Sequence, residues 1–300
     1  DAIVASAPGW LRGSLRRALG RAEAGRYLAA GPVPPPIGLA VVPAEDRDAV
    51  RAAIAAAVPG AEVSLGNVSP HAVLVRGAGD VRRLPGFGRA FIAQEEGAQL
   101  VALSLGVRAG ERVLDACAGR GNKAWLLGAA AGPSGVVDAA DLYPAKLDEL
   151  RAALGGRVHA TFAVDWSVGP GDVPGGYDRV LVDAPCSGTG TLRRRPEIAR
   201  GKGPDDLARL SALQAAIARR AACRARVGGR VVYAVCSVLA EEAEAVVARL
   251  LEPGDDLALA SSPFEGEPAR ALAGDATSLR LLPELHGTDG YYLASFVRTR

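Results

Sequence analysis

Two stretches of the sequence each place a cysteine at the end of an apolar run. Residues 180–183 (VLVD) lead through Ala and Pro to Cys186 and a glycine-rich turn, and residues 231–235 (VVYAV) lead to Cys236. Apolar, β-branched runs that end in turn residues predict buried strands. Ligands of open α/β sheets bind at the carboxyl ends of the strands. We therefore expect Asp183, Cys186 and Cys236 to meet in one crevice if their strands are neighbours.

The chemistry available to this group is nucleophilic catalysis. A cysteine attacks as the thiolate, and a strand-end position beside a helix N-terminus or basic groups lowers the thiol pKa. A buried cysteine is more often a packing residue, which is our interpretation of Cys223, in a predicted helix among alanines. For Cys186 and Cys236 the strand-end context favours catalysis. The four cysteines form no CxxC pair, so a metal site, a disulfide framework and thiol-redox catalysis are all disfavoured.

A turn of small residues follows a further predicted strand. Residues 115–123 (DACAGRGNK) come after the strand predicted at 112–116 and open a helix. Such a turn lets a ligand approach backbone N–H groups at the helix N-terminus; a tight connection without a ligand is the alternative. The turn matches neither GxxxxGK[ST] nor GxGxxG, which disfavours nucleoside triphosphate and nicotinamide sites.

Acidic residues end the next two predicted strands. Asp141 lies about 20 residues beyond the glycine turn, where a carboxylate usually holds the hydroxyl pair of a ribose. We assign Asp141 to a ligand. For Asp165, a ligand contact and a helix cap are interpretations of nearly equal weight.

The order of predicted elements indicates an α/β fold with a doubly wound, mostly parallel sheet. We predict an N-terminal helical segment at 1–30, a small α+β unit at 31–90 that contains a hinge at 84–89, and a catalytic domain at 91–300. The predicted strands of the catalytic domain are 112–116, 135–140, 158–164, 178–183, 230–236 and 291–297. Its later helices are predicted at 204–226 and 239–251, and 261–277 is a predicted loop.

Composition and charge narrow the class of protein. No apolar run reaches the roughly 18 residues that a membrane helix needs, and dispersed cysteines without a secretory segment indicate a reducing cytoplasm. The chain begins at Asp1 and lacks Met, which indicates a trimmed sequence, so a preceding domain is left open. The formal net charge of +2 does not by itself indicate a polyanion partner.

Basic residues nevertheless cluster in three places. The first and third clusters are expected on solvated helix faces, whereas the middle cluster follows the Cys186 turn and is predicted to contact phosphates. In chain order the clusters are Arg12, Arg16, Arg17 and Arg21; Arg193, Arg194, Arg195, Arg200 and Lys202; and Arg219, Arg220, Arg224 and Arg226.

These motifs together resemble the Sun (RsmB-type) family of RNA cytosine-5 methyltransferases. The resemblance covers nearly the whole chain, and the DAPCSG motif followed by a second Cys-Ser is its most specific part. In chain order the matching segments are PGWL, PPPIGLAV, LPGF, FIAQEEGAQLVA, VLDACAGRGNK, DAPCSGTGTLRRRPEI, VCSVLAEEAE and DGYYLASF.

The resemblance implies a fold and a mechanism. The fold is a Rossmann-like sheet of seven strands, the last inserted antiparallel, after a small RRM-like domain. Cys236 would add to carbon 6 of a cytosine, Asp183 would hydrogen-bond or protonate the ring nitrogen, and Cys186 would assist release of the product, with Lys123 beside them. Covalent activation suits carbon 5 of cytosine, which is a poor nucleophile, and the base must leave its stack to react.

The resemblance also implies the cofactor S-adenosyl-L-methionine. Asp141 would bind its ribose, Asp165 its adenine, and Asp183 would border it. Its amino-acid part would lie along the glycine turn, formed by Cys117, Ala118, Gly119, Arg120, Gly121, Asn122 and Lys123. Residues 120–123 read RGNK where the family usually has Pro-Gly-Gly-Lys. Ribosomal RNA is the expected substrate, with tRNA as an alternative, for a protein expected to be monomeric and away from membranes.

Two other functions stay open at this point. One is a non-catalytic RNA-binding or ribosome-assembly protein that kept the fold after its glycine turn changed. The other is a methyltransferase for a small molecule, which would not need the arginine cluster beside the Cys186 turn.

Overall fold

Two consecutive helices lie near the start of the part of the chain that the structure describes. This computed structural model describes residues 6–31, 34–42, 45–254 and 256–300. The helices are α1 (Gly9–Leu19) and α2 (Arg21–Ala30), and Gly20 separates them with a φ of 81°. They share one buried cluster with the later part of the chain: Leu11, Leu15, Ala24, Tyr27, Leu207, Val238, Leu239 and Leu282.

A small antiparallel sheet follows the two helices. Its elements are β1 (Ile37–Val41), α3 (Arg47–Ala57), β2 (Glu62–Leu65), β3 (Ala72–Arg76) and β4 (Phe91–Ala93), with strand order β2-β3-β1-β4. The Asp46 carboxylate accepts hydrogen bonds from two backbone N–H groups of the first turn of α3, which fixes where this helix begins. The spacing of Val50, Ile54 and Val58 predicts this helix over 44–58, and that predicted start lies outside the described residues.

The rest of the chain alternates helices with the strands of a larger sheet. Its elements, in chain order, are α4 (Glu96–Ser104), β5 (Arg112–Asp115), α5 (Asn122–Ala131), β6 (Val136–Asp141), α6 (Pro144–Leu154), β7 (Ala160–Ala163), β8 (Tyr177–Asp183), α7 (Ile198–Gly201), α8 (Pro204–Ala222), β9 (Ala225–Val235), α9 (Glu244–Leu251), β10 (Leu259–Ser261), α10 (Ala269–Ala273), β11 (Ser278–Leu281), α11 (Pro283–His286) and β12 (Tyr291–Arg298). No helix in the described ranges is both long and apolar enough to cross a membrane.

The larger sheet has the order β10-β12-β9-β8-β5-β6-β7. Neighbours from β9 to β7 are parallel, and β12 pairs antiparallel with β9, so the mostly parallel sheet and its inserted last strand are confirmed. The predicted count of seven strands is wrong. The described residues form eight, because β10 and β11 pair with different stretches of β12 along the edge that faces away from β9. The predicted loop at 261–277 likewise contains α10.

Side chains of the central strands alternate between two cores, as the period of two in a strand requires. On β8, Leu181 faces the core beneath α4, α5 and α6, whereas Val180 and Val182 face the core beneath α8 and α9. Helices therefore cover both faces of the sheet. The helix predicted to reach residue 226 ends at Ala222, which places Cys223 at a helix end rather than within the helix.

A buried arginine fixes the edge of the sheet opposite the strand ends that carry the cysteines. Arg179 lies near the start of β8 with only 4% of its side chain exposed. Its Nε and Nη2 donate to the Glu111 carboxylate at 2.9 Å each, and its Nη1 donates to Glu265 Oε2 at 2.7 Å and to the Leu105 carbonyl at 3.2 Å. These contacts connect β8, the turn before β5 and the segment after β10.

We expect Arg179→Met to lower the free energy of unfolding by about 3 kcal/mol, because it leaves the Glu111 carboxylate without its bidentate partner in a buried setting. Urea denaturation measures the change. The control is Arg226→Gln, which breaks an ion pair with Asp178 that is half exposed on the arginine side and should cost less than about 1 kcal/mol. Equal losses in the two variants would contradict the expectation.

Candidate active site

The carboxyl ends of four parallel strands form one edge of the sheet, because β9, β8, β5 and β6 are consecutive neighbours. Asp183 ends β8 and lies opposite Ala234 of β9, two positions before Cys236. The two strands that lead to the cysteines are therefore neighbours, as the sequence prediction required.

The two predicted catalytic cysteines touch each other. The sulfur atoms of Cys186 and Cys236 are 3.2 Å apart, within hydrogen-bond distance for a thiol, and both residues are free and partly exposed. The hydrogen bond to Cys236, followed by burial, raises the pKa of Cys186 well above the ordinary thiol value. Cys186 therefore holds its proton at neutral pH, which suits a hydrogen-bond donor better than an attacking nucleophile.

Backbone contacts keep the two cysteine segments together. We define the Cys186 loop as residues 184–191 and the Cys236 segment as residues 236–243. The N–H of Gly190 donates to the Cys236 carbonyl at 2.9 Å, and the N–H of Gly290 donates to the Gly190 carbonyl at 2.8 Å. A Cβ at position 190 would lie 1.9 Å from the carbonyl oxygen of Gly290, so only glycine fits there. From α2, the Tyr27 hydroxyl donates to the Thr189 carbonyl at 2.7 Å.

An ion pair joins the glycine turn to the same strand end. Lys123 Nζ is 2.5 Å from Asp183 Oδ2, and the exposed fractions of the two side chains are 15% and 22%. Burial favours a lower pKa for Lys123, but the charge and the hydrogen bond of Asp183 outweigh it, and the pKa is raised. Lys123 is therefore a permanent cation against the Asp183 carboxylate.

Asp141 shapes the glycine turn from the neighbouring strand β6. Its Oδ2 accepts from the N–H of Gly119 at 2.9 Å, and its Oδ1 accepts from the N–H of Tyr143 at 3.0 Å. Gly121 has a φ of 89°, and a Cβ there would lie 2.7 Å from Leu150, whereas a Cβ on Gly119 would meet no atom of the described residues within 4 Å. The turn is thus packed on one side and open on the other.

The residues that depart from the family pattern point away from this opening or join the helix. The Arg120 side chain is 65% exposed and pairs with Glu149 of α6. Asn122 is exposed and is the first residue of α5, so it does not need a left-handed backbone. The larger side chains at these two positions therefore leave the turn intact.

Asp115 is a site residue that our sequence analysis did not single out. It is fully buried at the end of β5, and burial raises its pKa to about 7 against the opposing charge of Lys123. Within the described ranges, neither of its carboxylate oxygens has a hydrogen-bond partner. Its position could have identified it from the sequence, because it is an acidic residue at the carboxyl end of a buried strand.

The turn and its carboxylates fit S-adenosyl-L-methionine. An unpartnered buried carboxylate calls for a donor, and the amino-acid end of this cofactor carries an ammonium group. Cys117 and Ala118 complete the turn between Asp115 and Gly119, with the N–H of Ala118 donating to the Ala140 carbonyl at 2.9 Å. Burial, with the nearby Asp115, raises the pKa of the Cys117 thiol well above its ordinary value, so Cys117 is a neutral lining residue.

Asp165 is exposed two residues beyond β7. Its Oδ1 accepts from the N–H and from the hydroxyl of Ser167, at 2.8 and 2.6 Å. These bonds lower its pKa and stabilise the local turn. Asp165 thus stabilises a turn, since no described helix begins there, and its predicted contact with adenine stays a prediction.

Two residues of the middle arginine cluster form ion pairs within the protein. Arg193 Nε donates to Asp289 Oδ1 at 2.5 Å, and Arg194 Nε donates to Asp289 Oδ2 at 2.7 Å, on a carboxylate side chain that is 2% exposed. Arg194 also donates to the carbonyl of Pro36, which directly precedes β1. Arg193, with 10% of its side chain exposed, therefore ties the segment after the Cys186 loop to Asp289, just before β12, instead of making the predicted phosphate contact. Arg194 is exposed, and its predicted phosphate contact stays a prediction. Arg195 and Arg200 of this cluster are exposed.

We expect iodoacetamide to modify Cys186 slowly at neutral pH, because only the thiolate reacts and the raised pKa keeps this thiol protonated. Cys236→Ala removes the hydrogen bond that contributes most to the shift, so Cys186 should then react at lower pH. Mass-spectrometric mapping of modified peptides from about pH 6 to 10 covers the ordinary thiol range and beyond. Rapid modification of Cys186 at neutral pH in the unchanged chain would contradict this assignment.

Comparison with solved structures supports the fold. The crystal structure of PH0851 aligns with a TM-score of 0.85 and 24% identity, over 97% of this chain and 66% of that one. The crystal structure of NSun6 from Pyrococcus horikoshii with SFG aligns with a TM-score of 0.81 and 16% identity, over 98% of both chains. At these identities the likeness concerns the fold alone.

Sequence relatives narrow the assignment further. Putative methyltransferase Rv1407 of Mycobacterium tuberculosis (strain ATCC 25618 / H37Rv) is 35% identical over 99% of this chain and 65% of its own length. Ribosomal RNA small subunit methyltransferase B of Pseudomonas putida (strain KT2440) is 34% identical over 99% of this chain and 68% of its own. The chain thus spans about two-thirds of the length of these relatives.

A family model covers most of the chain. The model described as 16S rRNA methyltransferase RsmB/F matches residues 102–297, about two-thirds of the chain, which contain the glycine turn and both cysteine segments. The resemblance drawn from the sequence motifs is confirmed. By this match and by its identity to the two relatives, the chain belongs to the RsmB/F family of 16S rRNA methyltransferases.

Proposed function

We propose that this chain methylates carbon 5 of a cytosine in RNA, foremost ribosomal RNA, with S-adenosyl-L-methionine as methyl donor. The observation that carries the proposal is the contact of the two thiols at 3.2 Å, beside the Asp183 and Lys123 pair on the adjacent strand end. Family membership and the relatives named for small-subunit ribosomal RNA support the substrate class.

The cofactor would lie along the open side of the glycine turn. When bound, it supplies an electrophilic methyl group. Asp115 is suited to hold its ammonium group and Asp141 its ribose hydroxyls, and the exposed Asp165 is proposed for its adenine. The alignment with the structure of NSun6 with SFG supports a ligand site in this fold.

Cys236 is proposed as the nucleophile. Once its proton has passed to solvent, its sulfur forms a bond to carbon 6 of the cytosine, and the electrons of the carbon 5–carbon 6 double bond then make carbon 5 nucleophilic towards the methyl group. Negative charge develops on the ring as the sulfur adds. Asp183 hydrogen-bonds or protonates the ring nitrogen, and Lys123, 2.5 Å from Asp183, stays protonated and offsets part of the negative charge.

Cys186 is proposed to act at release. Transfer of the proton on carbon 5 to a water molecule restores the double bond and expels the Cys236 sulfur as a thiolate. Cys186 keeps its proton at neutral pH and touches that sulfur, so it can donate a hydrogen bond to the leaving thiolate. The attacking Cys236 thiol and the protonated Cys186 thiol therefore act at separate steps.

The target nucleotide would have to leave its base stack to reach the site. Both thiols are only partly exposed, so a base that stays paired in a duplex cannot reach them. The small sheet has been predicted to be RRM-like, but its central strands β1 (IGLAV) and β3 (AVLVR) carry no aromatic residue. The base stacking of RRM domains needs such side chains. We propose that this unit contacts RNA through shape and charge.

We expect Cys236→Ala to abolish methyl transfer to a 16S rRNA transcript and Cys186→Ala to accumulate a denaturant-resistant protein–RNA adduct. Transfer of tritium from methyl-labelled S-adenosyl-L-methionine and gel mobility measure the two effects. Cys223→Ala, at the end of α8, is the matched control and should keep full activity. Full methyl transfer by Cys236→Ala would end the proposal, whereas cofactor binding without transfer to any RNA would favour an assembly factor.

We expect Arg195→Gln and Arg200→Gln each to weaken RNA binding and to reduce the slope of log affinity against log salt by about one, as loss of a phosphate contact does. Filter binding across a salt series measures both quantities. Arg226→Gln removes the same charge from the opposite edge of the sheet and should leave them unchanged. Methylation that is insensitive to both changes and to salt would favour a small-molecule substrate.

A further inference from the structure

A buried carboxylate connects the two cysteine segments. Glu242, in the Cys236 segment, is 0% exposed. Its Oε1 accepts from the N–H of Ser187 at 2.7 Å, and its Oε2 accepts from the Ser187 hydroxyl at 2.5 Å. Ser187 directly follows Cys186. The carboxylate therefore holds the backbone at the residue next to one cysteine, although Glu242 itself belongs to the segment of the other.

Neighbouring side chains complete this network. Gln214 of α8 donates through its Nε2 to Glu242 Oε1 and to the Pro185 carbonyl, both at 2.9 Å. On the other side, the Thr189 hydroxyl lies 3.1 Å from that of Ser187 and 3.0 Å from that of Ser237. Residues on both sides of Cys186 are thus tied to the segment that begins with Cys236.

The network is organised for position more than for stability. A buried carboxylate is costly unless its oxygens are hydrogen-bonded, and well-packed apolar residues often stabilise a core equally well. In a low-dielectric interior, a satisfied network of hydrogen bonds is strong and directional. Here both carboxylate oxygens are satisfied, and two of their three donors come from Ser187. The negative charge of Glu242 also helps to raise the Cys186 pKa, which keeps that thiol protonated.

We propose that Glu242 is the positioning residue for Cys186, which it holds in contact with the Cys236 sulfur so that release of the methylated base depends on it. The inference rests on the proposed function and deepens it. Glu242 touches neither thiol through its carboxylate contacts, all of which go to Ser187 and Gln214, so its role is exerted through the Cys186 loop. Attack by Cys236, which precedes release, does not need the Cys186 contact.

The test separates the two steps in a single turnover on a 16S rRNA transcript with S-adenosyl-L-methionine. One readout is the rate at which the denaturant-resistant adduct forms, and the other is the rate at which methylated RNA is released. For Glu242→Gln we expect adduct formation within about threefold of the unchanged chain and release slowed about 10- to 100-fold, the scale of a catalytic group misplaced by about 1 Å. The adduct should then accumulate.

Glu241→Gln is the matched control. Glu241 is the preceding residue and has the same chemistry, but its carboxylate pairs with Arg17 and accepts from Ser14 of α1, so release should be unchanged. Ser187→Ala removes the hydroxyl contact from the other side and should slow release in the same direction. Combining Glu242→Gln with Cys186→Ala should slow release no further than Cys186→Ala alone, because both changes remove the same contribution.

Several outcomes would overturn the inference. Unchanged release in Glu242→Gln would do so, as would equal slowing of both steps together with a lower melting temperature, which would indicate a merely structural role. If Glu242→Gln does not fold, Ser187→Ala decides by the same two rates. Absence of any adduct in Cys186→Ala as well as in the unchanged chain would instead refute the proposed covalent mechanism, and the inference with it.

Discussion

Parallel pairing of β8 with β9 is the constraint on which the site depends. It brings the ends of two strands that are about fifty residues apart in the chain to one edge, with Asp183 opposite Ala234. Parallel strands have all their carboxyl ends on the same side, so the order β9-β8-β5-β6 gathers the thiols, the ion pair and the glycine turn without any long-range signal in the sequence. The polar contacts then refine an arrangement that the sheet has already made.

Charges in the interior are compensated locally. Arg179 lies between two carboxylates at one edge of the sheet, Asp289 lies between two arginines near the other, and Lys123 faces Asp183 within the site. In each pair the acid and the base come from different segments of the chain, so each pair also fixes the distance between two segments. The interior thus contains several charged side chains although the net charge of the protein is near zero. Asp115 stands apart, because its compensating donor is expected from a ligand.

Much of the fold and of the site could be predicted from the sequence, for identifiable reasons. The central strands are long apolar runs, and Asp183 and Cys236 lie where those runs stop. The short strands β10 and β11 were missed because they are defined by pairing with β12 and carry only weak patterns of their own. The role of Glu242 was missed and that of Arg193 was misassigned. An acid or a base in a polar stretch looks solvent-exposed until its distant partner is known.

The contact between Gly190 and Gly290 bears on how the chain can vary. Most distances in an active site are set by side chains, so they can change by small steps as one residue replaces another. Here the approach of the Cys186 loop to Gly290 is set by main chain packed against main chain, with no room for a single methyl group. Variation at this point is therefore abrupt rather than gradual, and a wider site is accessible only to a chain that rebuilds the whole loop.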